Sequence, residues 1–336
     1  MPTHRRVVLA ARPSGVPTES DFRLEESPVP DPADGEFLIE SVYLSVDPYM
    51  RGRMRDVASY AAPLQLGEVM TGGGVGRVAA SRNPRYAVGD WVEGMTGWQT
   101  HLVTRGAGFR KIDPTLAPPS TALGVLGMPG LTAYFGLLEV GAARAGDTVV
   151  VSGAAGAVGS AVGQIAKIAG CRVVGIAGSD DKVAWLTGDL GFDAAFNYKT
   201  ESDYRARIRD LCPSGVDVYF DNVGGPISDA VMPSLAQGAR VAVCGQISQY
   251  NNEQAEQGPR QWFHLIVKRA RVEGFLVFDF ANRYDEGRER LTGWVRAGRI
   301  QYREHFEDGI ERMPAAFIGM LGGANTGKML VRVRPE

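Results

Sequence analysis

Cysteine and histidine are scarce in this chain. Its three cysteines, Cys171, Cys212 and Cys244, are scattered and odd in number, so they cannot form a disulfide framework. Four histidines, His4, His101, His264 and His305, complete the soft-ligand inventory, and no Cys-x-x-Cys or His-x-x-x-His spacing occurs. That excludes a structural zinc cluster and leaves a catalytic zinc poorly supported. A charge excess is missing too. With 36 basic and 38 acidic residues the net charge is -2, which gives neither nucleic acid nor an anionic membrane an electrostatic reason to bind. Basic runs such as Lys268-Arg269-Ala270-Arg271 are short and read as solvated helix-end charges. No apolar run approaches a transmembrane span. The start, Met1-Pro2-Thr3-His4-Arg5-Arg6, has no apolar core of the kind a signal peptide needs. These absences predict a reducing, cytoplasmic setting.

What is present is an ordinary globular composition, 44% hydrophobic and 22% charged, over 336 residues. That length predicts two domains. Up to about residue 125 the pattern is short apolar runs, such as Phe37-Leu38-Ile39, Gly74-Val75-Gly76-Arg77-Val78 and Gly89-Asp90-Trp91-Val92, broken by Gly, Pro and Asp. Short strands between turns predict a β-rich, barrel-like unit. Beyond Leu131 the rhythm changes. Apolar strands at 147–151, 172–177, 194–196, 216–220 and 240–243 alternate with helix-like segments, among them 158–169 and 181–190. This predicts a parallel sheet covered on both faces. Segments 283–295 and 310–321 read as helical, and a last strand over 329–333 is expected to return to the first domain.

The central motif is Ser152-Gly153-Ala154-Ala155-Gly156-Ala157-Val158-Gly159, placed directly after a buried strand and before a helix. Read as A-x-G-x-x-G, Ala154 takes the tight turn, Gly156 lets backbone approach a pyrophosphate, and Gly159 lets the helix pack on the strand. Ala157 and Val158 open the helix, whose free N–H groups and positive dipole end face the phosphates. An NAD site carries an acid at the end of the second strand, about 20 residues on. Here that strand ends Ala177-Gly178-Ser179, with Lys182 one helical turn later, so NADPH is favoured over NADH. Asp180 and Asp181 are then helix-start acids.

At these residues the chain resembles the medium-chain dehydrogenase/reductase superfamily, and within it the zinc-free NADP-dependent 2-alkenal, prostaglandin and leukotriene B4 reductases. The resemblance also runs through Asp47-Pro48-Tyr49-Met50-Arg51, Gly127-Met128-Pro129-Gly130-Leu131-Thr132-Ala133-Tyr134, Phe220-Asp221-Asn222-Val223-Gly224-Gly225, Cys244-Gly245-Gln246-Ile247-Ser248 and Gly322-Gly323-Ala324-Asn325-Thr326-Gly327-Lys328. The histidine of the zinc-dependent members' Gly-His-Glu element is missing from Leu66-Gly67-Glu68-Val69-Met70. The resemblance implies an α/β fold: a Rossmann doubly wound parallel sheet over 126–309, plus a GroES-like β-barrel domain over 1–125 to which 310–336 return. It further implies a homodimer and reduction of an activated C=C bond in an enone or alkenal. Lys182 and Tyr198 would contact the 2′-phosphate end of NADPH, with Asn222 and Asn325 along the dinucleotide.

Hydride added to the β-carbon of an enone leaves an enolate, whose oxygen calls for a hydrogen-bond donor. The candidates are Tyr250, in the loop after a parallel strand, and Tyr49. Either can stay a neutral donor at pH 7, and the cofactor ribose or water could serve instead. Tyr49 also reads as a pocket-shaping residue. Arg51 is a candidate for an acidic substrate tail, with a structural ion pair as the competing reading. Phe275, Phe278 and Phe280 read either as a lipophilic wall, Phe278 foremost, or as core and dimer interface. The polar stretch 246–262 is a candidate lid. A quinone reductase and a non-catalytic NADPH sensor remain alternatives.

Overall fold

Alternating Gly- and Pro-rich turns and short apolar runs give the first part of the chain, among the described residues, seven strands, one short α-helical turn and two 3-10 turns. The structure is a computed structural model and describes residues 3–57 and 59–335. It divides the chain into two units, Met1–Gly124 with Glu304–Glu336, and Val125–Arg303. The first unit opens with β1 (Thr3–Leu9), β2 (Phe22–Pro28), β3 (Phe37–Ser45), α1 (Met50–Arg53), β4 (Gly74–Ser81), β5 (Trp91–Gly94), β6 (His101–Thr104) and β7 (Arg110–Ile112). β1 and β2 pair antiparallel, with Leu9 opposite Phe22. β3 pairs antiparallel with β4 and β6, and is buried along nearly its whole length. That double coverage explains why its sequence runs apolar instead of alternating.

In the second unit the chain runs through α2 (Met128–Phe135), β8 (Thr148–Ser152), α3 (Ala157–Ile168), β9 (Arg172–Ala177), α4 (Asp180–Gly188), β10 (Ala194–Asn197), α5 (Tyr204–Leu211), β11 (Val216–Asp221) and α6 (Gly225–Val231). It continues with β12 (Leu235–Val243), α7 (Trp262–Lys268), β13 (Arg271–Gly274) and α8 (Tyr284–Arg296). The strands form one parallel sheet in the order β10-β9-β8-β11-β12-β13. Every residue of β8 is buried, as its unbroken valine run requires of a central strand. From β8 the chain lays β9 and β10 to one side, then crosses back to place β11 on the other. The ends of β8 and β11 are therefore a topological switch point, where open α/β sheets bind ligands.

The chain then returns to the first unit through β14 (Glu304–Asp308), α9 (Met313–Leu321) and β15 (Lys328–Arg332). β15 joins β3 antiparallel and β14 lies parallel to β15, completing the order β14-β15-β3-β4-β5-β7 with β6 also on β3. Phe317 of α9 meets the ring of Trp98 at 5.7 Å, and Phe22 stacks on the same tryptophan. The return begins at Glu304 instead of at 310. Charged residues dominate Glu304-His305-Phe306-Glu307-Asp308, so an edge strand there leaves no apolar signal. The helix expected from 310 starts with a short 3-10 turn over Ile310–Arg312, and α9 follows with proline in its first turn. No helix among the described residues is long and apolar enough to cross a membrane.

Candidate active site

The glycine turn occupies the switch point of the second unit. After β8 the chain turns at Gly153, the Ala154 N–H donates to the Ile176 carbonyl of β9 at 3.0 Å, and the Gly156 N–H closes the turn on the Gly153 carbonyl. α3 then starts with Gly156 at its N-cap and no side chain over its end. The N–H groups of Ala157, Val158 and Gly159 stand where a helix has no carbonyl one turn earlier to receive them. Gly159 has no room for more than hydrogen: a Cβ there would lie 2.4 Å from the Gly153 carbonyl oxygen and 2.8 Å from the Ala154 Cα. At Gly156 the nearest protein atom to such a Cβ is the Gly153 oxygen at 3.3 Å, so the protein itself leaves that side open. A bare helix end with an open glycine fits a dinucleotide pyrophosphate.

The tip of β9 carries the second group. Ser179 caps α4, its hydroxyl accepting from the Lys182 N–H at 3.4 Å. Asp180 accepts from the Asn197 side-chain amide at 2.9 Å, which ties this acid to β10. The Tyr198 ring lies against Gly178, where an added Cβ would sit 3.0 Å from the ring. Lys182 is half-buried. Burial, and then the charge of Lys199, lower its pKa from the ordinary lysine value. Two cations at one strand tip make a place that an added anion would relieve.

A buried carboxylate holds the floor between these groups. Asp221 Oδ1, at the end of β11, accepts from the Ser152 hydroxyl at 3.0 Å, the Tyr219 hydroxyl at 2.9 Å, and the N–H groups of Val223 and Gly224. Its Oδ2 accepts from the Ser228 hydroxyl at 2.6 Å. Gly224 and Gly225 both take positive φ, and this double turn aims the two N–H groups back at the carboxylate. Asn222 donates its amide to the Ser152 carbonyl at 2.7 Å, joining the ends of β8 and β11. Tyr250 follows a 3-10 turn, Ile247–Gln249, after β12, and its hydroxyl accepts from the Gln246 N–H at 3.4 Å.

Tyr49, Arg51 and Asn325 belong to the first unit. Tyr49 precedes α1, is half-buried and shares a hydrogen bond with Thr71; burial, and then the Asp47 carboxylate, raise its pKa well above the ordinary tyrosine value. Asn325 donates its amide to the Gly327 carbonyl at 2.7 Å. Arg51 is placed differently from the expectation. It is 1% exposed and donates to the backbone carbonyl of Gly15 at 2.8 Å, which makes it a fastener for the loop after β1 and leaves it no substrate tail to meet. The phenylalanines separate as well. Phe280 stacks on Phe135 and Phe275 meets Phe220 edge-on inside the second unit, whereas Phe278 is 62% exposed.

Known proteins resemble this chain in sequence and fold. Residues 5–112 match the family model described as the N-terminal domain of oxidoreductases, and residues 157–292 match that of the zinc-binding dehydrogenases. The NADPH-dependent curcumin reductase of Escherichia coli is 46% identical over 98% of this chain and 97% of its own. The NADP(+)-dependent 2-alkenal reductase of Nicotiana tabacum is 44% identical, covering 99% and 98%. The chain belongs to the medium-chain dehydrogenase/reductase superfamily. The crystal structure of CurA from Vibrio vulnificus in complex with NADPH superposes on this oxidoreductase with a TM-score of 0.94, at 47% identity over 99% of this chain and 100% of the other.

The description of the second family model raises zinc. Among the described residues of this superfamily member, no group of three or more His, Cys, Asp and Glu side chains is arranged to hold a metal ion. The donor set does not fit the metal. Two features went unread in the sequence. Lys199 follows Tyr198 directly, yet nothing in its spacing places it beside Lys182. Asp47 and Lys328 lie in two separate motifs and form one buried ion pair at 2.9 Å, with the Lys328 ammonium also on the Val46 carbonyl and the Ser45 hydroxyl on Asp47.

Proposed function

We propose that this oxidoreductase uses NADPH to reduce the C=C bond of α,β-unsaturated aldehydes and ketones, without zinc. The observation that carries the reading is near-full-length similarity, at 44% and 46% identity, to a 2-alkenal reductase and a curcumin reductase, with the glycine turn intact. Bound NADPH supplies a hydride to the β-carbon of the acceptor. The chain's own part is to bind and to stabilise charge. The N–H groups of Ala157, Val158 and Gly159 take the pyrophosphate, Gly156 gives it room, and Ala154 shapes the turn. Lys182, Tyr198, Gly178 and Ser179 take the 2′-phosphate end. Asn222 serves the dinucleotide by keeping the floor at Ser152 in place, and Asn325, in the first unit, is assigned to it by the family resemblance alone.

Charge develops on the carbonyl oxygen as hydride arrives, and a positioned donor there contributes about 3–4 kcal/mol. Tyr250 of the second unit is the first candidate for that donor in this reading, and Tyr49 of the first unit is the alternative. Tyr49 suits the role because burial and Asp47 keep its hydroxyl protonated. The test is NADPH consumption with a panel of alkenals, enones and quinones, with NADH in parallel and the products identified. Saturated carbonyl products support the reading. Turnover of quinones alone would replace it with a quinone reductase, and tight NADPH binding without any turnover would replace it with a sensor.

The reading includes a homodimer through the second unit. β13 ends the strand order and its residues are exposed along their length. Beside it α7 presents Trp262 and Phe263, 68% and 70% exposed, together with Ile266. A second copy that adds its own β13 would cover the open edge and this apolar face. Light scattering decides between dimer and monomer, and Phe263→Glu is expected to shift the mass to the monomer.

A further inference from the structure

A dinucleotide lies across the switch point of a parallel sheet, with one nucleotide on each half of the strand order. Lys182 and Tyr198, the residues proposed for the 2′-phosphate, follow β9 and β10. With them on that side, the nicotinamide end falls to the half built from β11, β12 and β13. Asp221 is the last residue of β11 and is 2% exposed. Its partners are the hydroxyls of Ser152, Tyr219 and Ser228, the N–H groups of Val223 and Gly224, and the Gln246 side-chain amide at 3.5 Å. The Ser152 hydroxyl also accepts from the Asn222 N–H at 2.9 Å, so its own proton points to Asp221. These groups all donate, as suits an ionised carboxylate. All of them are neutral, so they spread its charge without cancelling it.

A hydrogen-bonded pin between β8 and β11 does not require a charge, and burying one among neutral partners costs free energy. NADPH and NADP+ differ in charge only at the nicotinamide ring, which is neutral when reduced and cationic when oxidised. Transfer of a hydride, one proton with two electrons, to the acceptor leaves that positive charge behind. We propose that the Asp221 carboxylate stabilises the cationic ring, so that the site favours NADP+ over NADPH more than a neutral floor would. A fixed charge shut off from water acts on a developing charge with little screening. It makes bound NADPH the stronger hydride donor. The proposal rests on NADPH as the cofactor and is independent of which acceptor takes the hydride.

The test measures Kd for NADP+ and for NADPH by calorimetry in the wild type, Asp221→Asn and Ser228→Ala. The readout is the ratio of the two constants, in which the shared adenosine, ribose and phosphate contacts cancel. Asp221→Asn keeps the shape and the Oδ1 acceptor while removing the charge. The ratio of the NADP+ to the NADPH Kd is expected to rise about tenfold, or ~1.4 kcal/mol. Ser228→Ala keeps the charge and strips a donor from Oδ2, which leaves the charge less spread and is expected to lower the ratio. A residue that only held the turn in place would weaken both forms alike, so a ratio unmoved in Asp221→Asn overturns the proposal. Should melting show that Asp221→Asn does not fold, Ser228→Ala decides alone, and a ratio unchanged or raised there overturns it. Failure of the wild type to bind either form would overturn the cofactor assignment, and the proposal with it.

Discussion

Gly156 and Gly159 stand three residues apart in one turn, and the structure gives them different reasons for lacking a side chain. In Gly159→Ala the new methyl would meet the Gly153 oxygen at 2.4 Å and the Ala154 Cα at 2.8 Å, both backbone. Neither atom can swing aside, so α3 must move off β8, and overpacking of this kind costs about 1–3 kcal/mol. In a domain of about 150–250 residues each kcal/mol lowers Tm by about 2–4 °C, so a drop of several degrees is expected. In Gly156→Ala the nearest protein atom is 3.3 Å away, and the φ of -82 suits alanine. The stability cost there is that of a poorer N-cap, under about 1 kcal/mol. Its methyl instead fills the space assigned to the pyrophosphate, and NADPH affinity is expected to fall about tenfold or more, or at least ~1.4 kcal/mol. Melting curves and fluorescence titrations with NADPH read the two effects separately. The reasoning is refuted if Gly156→Ala binds NADPH as tightly as the wild type while Gly159→Ala melts normally.

At the strand tip, Lys182→Gln would remove the charge-assisted contact proposed for the 2′-phosphate and is expected to weaken NADPH binding by about ten- to a hundredfold, with NADH little changed; equal losses for both cofactors would count against the assignment. In the first unit, Lys328→Met strands the buried Asp47 carboxylate at a cost of about 3–5 kcal/mol, and the added change Asp47→Asn is expected to restore much of the lost Tm. An unchanged melting point in Lys328→Met would contradict that. Acid should loosen the same unit. His4 and His101 lie with ring centroids 5.9 Å apart, and burial lowers both pKa values from the ordinary histidine value, the charges of His101 and Arg6 adding to this at His4. A depressed pKa means the fold favours the neutral rings, so their contribution is complete above pH ~6.5 and is lost as pH falls through the folded values. Melting curves against pH should show a wild-type decline below that point that is reduced in His4→Phe, and identical profiles would remove the pair as its cause.

The dinucleotide-binding unit was legible where burial is two-sided. β8, β9 and β11 are covered on both faces, so their valine-rich runs announce a parallel sheet before any coordinates are consulted, and the glycine turn follows from its place between β8 and α3. β13 and β14 escaped the same reading because edge strands are free to carry charge: Arg271-Val272-Glu273-Gly274 and Glu304-His305-Phe306-Glu307-Asp308 have no apolar pattern to detect. Pairings made across the fold escaped it too. Ser152, Asp221 and Asn222 meet only because the strand order reverses between β8 and β11, and Asp47 reaches Lys328 only because β15 returns beside β3.

The arginines after Tyr49 show the same limit within a single helical turn. Side chains two residues apart on a helix point to different faces, and those four apart share one. Arg51 joins Met50 and Met54 in the core of the first unit, and its guanidinium donates to the Gly15 carbonyl. A four-residue helix offers no periodicity to recognise, and its flanking Asp47-Pro48 reads as a turn. Which of the two arginines is buried depends on a rotation of the backbone that the packing of the two methionines decides.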